Sequence, residues 1–120
     1  MGSYRDLEVY GKSMDLALAV YKLTNSFPNQ ELYCLTSQMR RCAVSIPSNV
    51  AEGHSRNSTP EFIRFLNIAN GSLSELETQL ELAFRLEYYH DFECYSAQIR
   101  HIRSMLINLI KALKAKIEKA

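Results

Sequence analysis

Apolar residues recur three or four positions apart along most of the chain, which is the spacing of one face of an α-helix. The clearest stripe begins at Phe62 and continues as an almost unbroken heptad pattern to Phe84, and another extends from Tyr95 to Ile117. Nothing alternates with the period of two that a half-buried strand requires. The pattern therefore predicts an all-α protein.

Turn and cap signals divide the pattern into four helices. Pro28 interrupts the first stripe, Gly53 closes the second, and Thr59-Pro60-Glu61 is typical of a helix start, because it combines a cap, an early proline and an acidic first turn. The predicted helices extend from Asp6 (capped by Asp6 or Ser3) to Ser26, from a cap at Asn29 to Gly53, from Thr59 to about Tyr88, and from a cap at Asp91 to the C-terminus. Short connections favour an antiparallel up-down-up-down four-helix bundle that forms a single domain over residues 1–120.

The second helix contains Pro47 in its interior. Proline removes one backbone donor and clashes with the carbonyl four residues earlier, here that of Ala43. We therefore expect a kink or a break between these two residues. The inward stripe of this helix is expected to begin at Leu32.

The first helix carries two apolar stripes instead of one. Tyr10, Met14, Ala17 and Tyr21 form one stripe, and a second stripe is rotated from it by one residue. A doubled apolar face indicates a helix shared between a core and an oligomer interface. The alternative is a helix packed centrally in a monomer. We assign the interface to the second stripe, which contains Val9, Leu16, Val20, Leu23 and Phe27.

The polar face of helix 2 lacks the usual lysines and glutamates of a surface helix. If helices 2 and 3 form a hairpin that turns near residue 57, this face lies against helix 3, with Arg41 in reach of Glu75. Buried polar networks more often fix register than catalyse a reaction, because a wrong pairing leaves donors unsatisfied. Catalysis stays the less favoured alternative. The predicted network contains Gln38, Arg41, Ser45, Asn49, Glu52, Ser72 and Glu75.

The net charge of +1 in 120 residues provides no global attraction to nucleic acid or membrane. Acidic residues concentrate between Glu75 and Glu93, however, and basic residues dominate from Arg100 onward. Gathered in a symmetric oligomer, the basic ends would bind a nucleic-acid backbone. The alternative is a solubilising tail that complements a helix dipole. Few aromatics lie near this end, which argues against stacking of bases there. The candidate contacts are Arg56, Arg64, Lys111, Lys114, Lys116 and Lys119.

Catalytic and metal-binding motifs are mostly absent from the sequence. Glycine-rich phosphate loops, nucleophile elbows and CxxC pairs are missing, and a single Glu-x-x-His (87–90) is half of a di-iron motif. We expect no enzyme activity, metal, cofactor or small-molecule substrate. The three cysteines are expected to be reduced core thiols in a cytoplasmic protein, and no apolar run is long enough to cross a membrane.

Several short motifs together resemble a known family. They are Phe27-Pro28, Glu31-x-Tyr33-x-Leu35, the run from Gln38 to Gly53, and Gly71-Ser72-Leu73 followed by Glu75-Leu76-Glu77. The chain resembles the bacterial four-helix-bundle family named for proteins encoded in intervening sequences of large-subunit ribosomal RNA, and is similar to the accessory protein of diversity-generating retroelements. This resemblance implies a homopentamer that engages RNA or a nucleic-acid-processing protein. The alternative function is a purely structural or protein-interaction scaffold with no nucleic-acid role.

Overall fold

The computed structural model describes residues 2–119 and contains four α-helices. The predicted all-α four-helix bundle is confirmed, and no strand occurs within the described residues. The helices are α1 (Glu8–Thr24), α2 (Leu35–His54), α3 (Thr59–Arg85) and α4 (Phe92–Lys119), and two short 3-10 turns cover Tyr4–Asp6 and Asn29–Glu31.

Consecutive helices pack against each other, and α2 and α3 share the most extensive contact. The two helices point in opposite directions, because Cys42 on α2 contacts Ser72, whereas the later residue Gly53 lies against the earlier residue Phe65. Heptad positions of all four helices fill the core between them. Its fully enclosed side chains include Leu16, Met39, Ile46, Leu66, Leu73, Leu76, Leu80, Ile99, Ile102 and Leu106.

Gly53 is buried inside the last turns of α2, where α3 comes unusually close. A Cβ added at Gly53 would lie 2.6 Å from the Cβ of Phe65 and 3.0 Å from Cδ1 of Phe62. The glycine therefore serves close packing rather than ending the helix, which continues to His54.

Both caps at the α3–α4 connection follow known chemistry. The Cys94 backbone N–H donates to Oδ1 of Asp91 at 3.3 Å, as the sequence predicts for the start of α4. At the end of α3, Glu87 adopts a left-handed conformation with φ of 64°. The N–H groups of Glu87 and Tyr88 donate to the carbonyls of Phe84 and Ala83, which is the Schellman pattern.

Two predicted helix starts are wrong, and the predicted cap of a third helix is wrong by one residue. Ser3 caps the short 3-10 turn, and α1 begins only at Glu8. Residues 29–31 form a separate 3-10 turn, so α2 begins at Leu35 and leaves Leu32 exposed. α3 begins at Thr59, but the cap is Ser58 rather than Thr59. The predicted helix end at residue 120 lies outside the described residues.

Pro47 lies inside α2, and the helix is continuous from Leu35 to His54. The chain therefore does not break at the proline. A bend of the helix axis at this position stays a prediction.

The connections α1–α2 and α3–α4 are tied together at one end of the bundle. The Tyr88 hydroxyl donates to Oε2 of Glu31 at 2.7 Å, and the Leu35 backbone N–H donates to Oε1 of the same carboxylate at 3.4 Å. The Tyr88 ring lies 5.3 Å from the ring of Phe27. The hydrogen bond to Glu31 raises the pKa of Tyr88, because ionised Tyr88 would face a carboxylate.

Candidate functional site

The polar face of α2 contacts α3 through a small hydroxyl cluster. The hydroxyls of Ser45 and Ser72 are 2.9 Å apart, and Nδ2 of Asn49 donates to the Ser45 hydroxyl at 3.0 Å and to its carbonyl at 2.7 Å. The Cys42 thiol donates to the Ser72 carbonyl at 3.0 Å. Three of the seven residues predicted for the network therefore meet at the α2–α3 contact.

The other predicted members of this network lie outside it. Arg41 and Glu75 are both exposed, and the expected ion pair between them is wrong, because within residues 2–119 no salt bridge joins them. Gln38 is exposed, and Glu52 pairs at 2.8 Å with Arg56, four residues later in the chain. Glu75 instead faces Cys42, and burial of the thiol together with this carboxylate raises the pKa of Cys42 to about 12.

The apolar stripe that we assigned to an oligomer interface belongs to the core of a single chain. Leu16 and Val20 are completely buried, Val9 and Phe27 are nearly so, and Leu23 is half-buried against the same core. Helix α1 does carry two apolar stripes. However, the inward stripe is the one predicted to form the oligomer interface.

The other stripe of α1 lines an open apolar groove against α2. Leu18 is 59% exposed and Met14 is 41% exposed, although both are large apolar side chains. Exposed apolar residues that cluster in a groove mark interaction sites, whereas scattered ones are ordinary. The groove has a volume of about 720 Å³ and is lined mainly by Tyr10, Met14, Leu18, Tyr21, Val44 and Pro47.

The lysines of α4 occupy the end of the bundle opposite the Glu31–Tyr88 contact, because α4 starts beside that contact and extends for 28 residues, about 42 Å. Four lysines and one glutamate lie between Lys111 and Lys119, all exposed. Among the described residues, none of these lysines pairs with a carboxylate.

The two arginines predicted for the same basic end are already neutralised. Arg56 pairs with Glu52 at 2.8 Å, and Arg64 pairs with Glu61 at 3.2 Å. Both guanidinium groups also lie over the ring of Phe65. The ion pair with Arg64 lowers the pKa of Glu61. The lysines therefore provide the free positive charge at this end.

Arg40 makes a structural contact between α1 and α2 that the sequence pattern does not predict. Its Nε donates to Oγ1 of Thr24 and its Nη2 to Oδ1 of Asn25, both at 2.9 Å, and its guanidinium lies 4.8 Å from the centre of the Tyr21 ring. Arg40 thus holds the C-terminal end of α1 against α2. No sequence signal shows that Arg40, rather than its neighbour Arg41, makes this contact.

The three cysteines do not all lie in the core. Cys42 is buried, but Cys34 and Cys94 are exposed, so the expectation that all three are core thiols is wrong. Within residues 2–119, no group of three or more metal-binding side chains comes together. In the same part of the chain, no helix is both long enough and apolar enough to cross a membrane.

Comparison with known proteins assigns the chain to a family. The family model described as 23S rRNA-intervening sequence protein matches residues 5–108, so the lysines of α4 lie beyond the matched segment. No curated protein matches the chain. A solved protein of unknown function from the S23 ribosomal protein family of Bacteroides thetaiotaomicron is 31% identical, with a TM-score of 0.79, over 86% of this chain and 95% of that chain. The chain belongs to the 23S rRNA-intervening sequence protein family.

Proposed function

We propose that this chain is a non-enzymatic, self-associating four-helix bundle that binds an RNA backbone through the lysine-rich end of α4. The observation that carries the proposal is the set of four exposed lysines, from Lys111 to Lys119, that lack carboxylate partners within residues 2–119. The family description names an intervening sequence of 23S rRNA, so RNA is the polyanion we choose for the test.

Phosphate binding requires positive charges that are not already neutralised. Each lysine that contacts a phosphate releases condensed counterions from the RNA, and this release drives binding at low salt. One chain carries a net charge of only +1, so a single copy binds weakly. Several copies in one assembly would bring several lysine clusters to the same strand and raise the effective concentration.

The test measures binding of a fluorescein-labelled single-stranded RNA of 20 nucleotides by anisotropy at several salt concentrations. Lys111→Gln with Lys114→Gln should reduce the slope of log affinity against log salt by about 0.7 for each lysine that contacts a phosphate. The matched control is Lys12→Gln with Lys22→Gln, which removes the same charge from α1 and should leave the slope unchanged. Equal losses in the two variants, or no binding at low salt, would refute the RNA proposal.

The groove between α1 and α2 supports self-association of the bundle. An apolar groove along two helices fits a helix of another molecule, and a second copy of this chain is the occupant we propose. The groove walls have little charge: Glu52, which is paired with Arg56, is the single charged residue among its lining side chains within the described chain. The family resemblance implies that five copies assemble.

Light scattering coupled to size exclusion tests this interface. Leu18→Lys should shift the mass towards that of a single chain, because it places a charge in the groove. Ser104→Lys, at an exposed position on α4, should leave the mass unchanged. A wild-type chain that elutes as a monomer would contradict self-association. An oligomer without RNA affinity would instead favour the alternative function, a protein-interaction scaffold.

A further inference from the structure

A second concave surface lies at the opposite end of the bundle from the lysines. It is a cleft of about 390 Å³ between the end of α1 and the start of α2, and it meets the apolar groove at Tyr21. Two arginines line it and no acidic residue does, so its chemistry favours an anion. Its lining residues are Tyr21, Leu32, Tyr33, Ser37, Arg40 and Arg41, together with the buried Thr36.

Arg41 is the arginine in this cleft with unused binding capacity. Its neighbour Arg40 is bonded to Thr24 and Asn25, and Arg5 lies over the ring of Tyr4. The remaining arginines form ion pairs, and they are Arg56, Arg64, Arg85, Arg100 and Arg103. Within residues 2–119, Arg41 alone has no acceptor and no ring partner. Its planar fork of donors is available for a phosphate, which it can bind through two parallel hydrogen bonds.

Tyr33 lines the same cleft as Arg41 and provides an aromatic surface there. Its side chain is 89% exposed, the highest value among the large apolar side chains of the described chain. Burying an aromatic side chain is strongly favourable, so a ring held in solvent next to a cleft is well placed to bind a ligand. The flat face of a nucleobase stacks on such a ring regardless of which base it is.

We propose that this cleft binds a nucleotide, with the phosphate on Arg41 and the base stacked on Tyr33. Arg40, fixed by its bonds to α1, forms a positively charged wall. The ligand is a nucleoside phosphate, either free or as one unit of an RNA strand. The inference does not rest on the RNA proposal for α4. It places base stacking where the chain has exposed aromatics, whereas the lysine-rich end has few.

The test uses a fluorescent nucleotide, N-methylanthraniloyl-AMP, whose anisotropy reports binding to the full chain at low salt. Displacement by unlabelled AMP establishes that the nucleotide, and not the dye, occupies the cleft. Arg41→Gln should weaken binding about tenfold, because a charge-assisted bidentate contact is lost. Tyr33→Ala should weaken it by about tenfold through loss of stacking, and Tyr33→Phe should bind within about twofold of the wild type.

Two controls separate this site from other positive charges. Arg85→Gln removes an exposed arginine elsewhere and should leave the affinity for the labelled nucleotide unchanged. Replacing all four lysines from Lys111 to Lys119 with glutamine should also leave it unchanged. Arg41 and Tyr33 are exposed, so their variants should keep the far-ultraviolet circular dichroism of the wild type.

The competitors distinguish the sources of the ligand. A pentaadenylate that displaces the label better than AMP identifies a strand, and equal displacement identifies a free nucleotide. Both outcomes support the proposal. Displacement by inorganic phosphate as effective as that by AMP would overturn it, since the base would then contribute nothing. Absence of AMP-displaceable binding, or unchanged binding by Arg41→Gln and Tyr33→Ala, would overturn it as well.

Discussion

Gly53→Ala should destabilise the bundle, although alanine is the better helix former. Inside a helix, alanine is favoured over glycine by about 1 kcal/mol, because glycine loses more backbone entropy on folding. At position 53 the added Cβ would lie 2.6 Å from the Cβ of Phe65, a distance that real Cβ atoms do not reach. The Phe65 atom is attached directly to the backbone of α3, so it cannot rotate away. The two helices must separate.

The expected magnitude follows from these opposing terms. Overpacking a filled core costs about 1–3 kcal/mol, and it costs more where backbone has to move. Separating α2 from α3 also loosens the contact between Ser45 and Ser72. We expect the clash to outweigh the helix propensity, so that the net loss in the free energy of unfolding is at most about 2 kcal/mol.

Urea denaturation followed by circular dichroism at 222 nm, at a fixed protein concentration, measures the effect. Gly71→Ala is the matched control, because Gly71 is also inside a helix and an added Cβ there would have no atom within 4 Å. It should raise stability by about 0.5–1 kcal/mol. If Gly53→Ala stabilised the protein as much as Gly71→Ala does, the close approach of the two helices would be refuted.

Three further predictions concern Arg40 and the cysteines. Arg40→Gln should lower the free energy of unfolding by about 1–3 kcal/mol, because Thr24 loses a charged donor. In the same urea titration, Arg41→Gln should change it by less than about 0.5 kcal/mol. Equal effects of the two variants would contradict the conclusion that Arg40, and not Arg41, holds α1 against α2. At pH 8 a thiol reagent should modify Cys34 and Cys94 in the folded protein, and Cys42 only after unfolding. Burial raises the pKa of the Cys42 thiol to about 12 in the folded protein, so the unfolded chain loses the thiol proton at lower pH. The free energy of unfolding should therefore fall above pH 9, by at most about 1.4 kcal/mol per pH unit. Cys42→Ala should reduce this loss.

The four helices could be predicted because long apolar stripes leave little choice of structure. The heptad pattern of α3 and the stripe of α4 each fix one inward face, and the observed core follows both. Helix ends were less predictable. Asn29 has the composition of a cap, but the 3-10 turn at 29–31 delays α2 to Leu35.

The candidate surfaces were less predictable than the fold. Two apolar stripes on α1 differ by only about 100° around the helix axis, and periodicity cannot say which one faces the core. Packing decides it in favour of Leu16, and leaves Met14 in the open groove. Likewise, the sequence alone does not distinguish the roles of the adjacent Arg40 and Arg41. Only the position of the α1 end, at Thr24, shows that Arg40 is used for packing and Arg41 is not.

The hydrogen bonds to the Glu31 carboxylate limit how copies of the chain can join. Exchange of a helix between subunits, known as domain swapping, requires a connection to open and become a straight hinge. Opening the α1–α2 connection would break the bonds from Tyr88 and Leu35 to Glu31, and the bonds from Arg40 to the end of α1. Assemblies of this protein should therefore consist of intact bundles in surface contact, with each copy keeping its own α1.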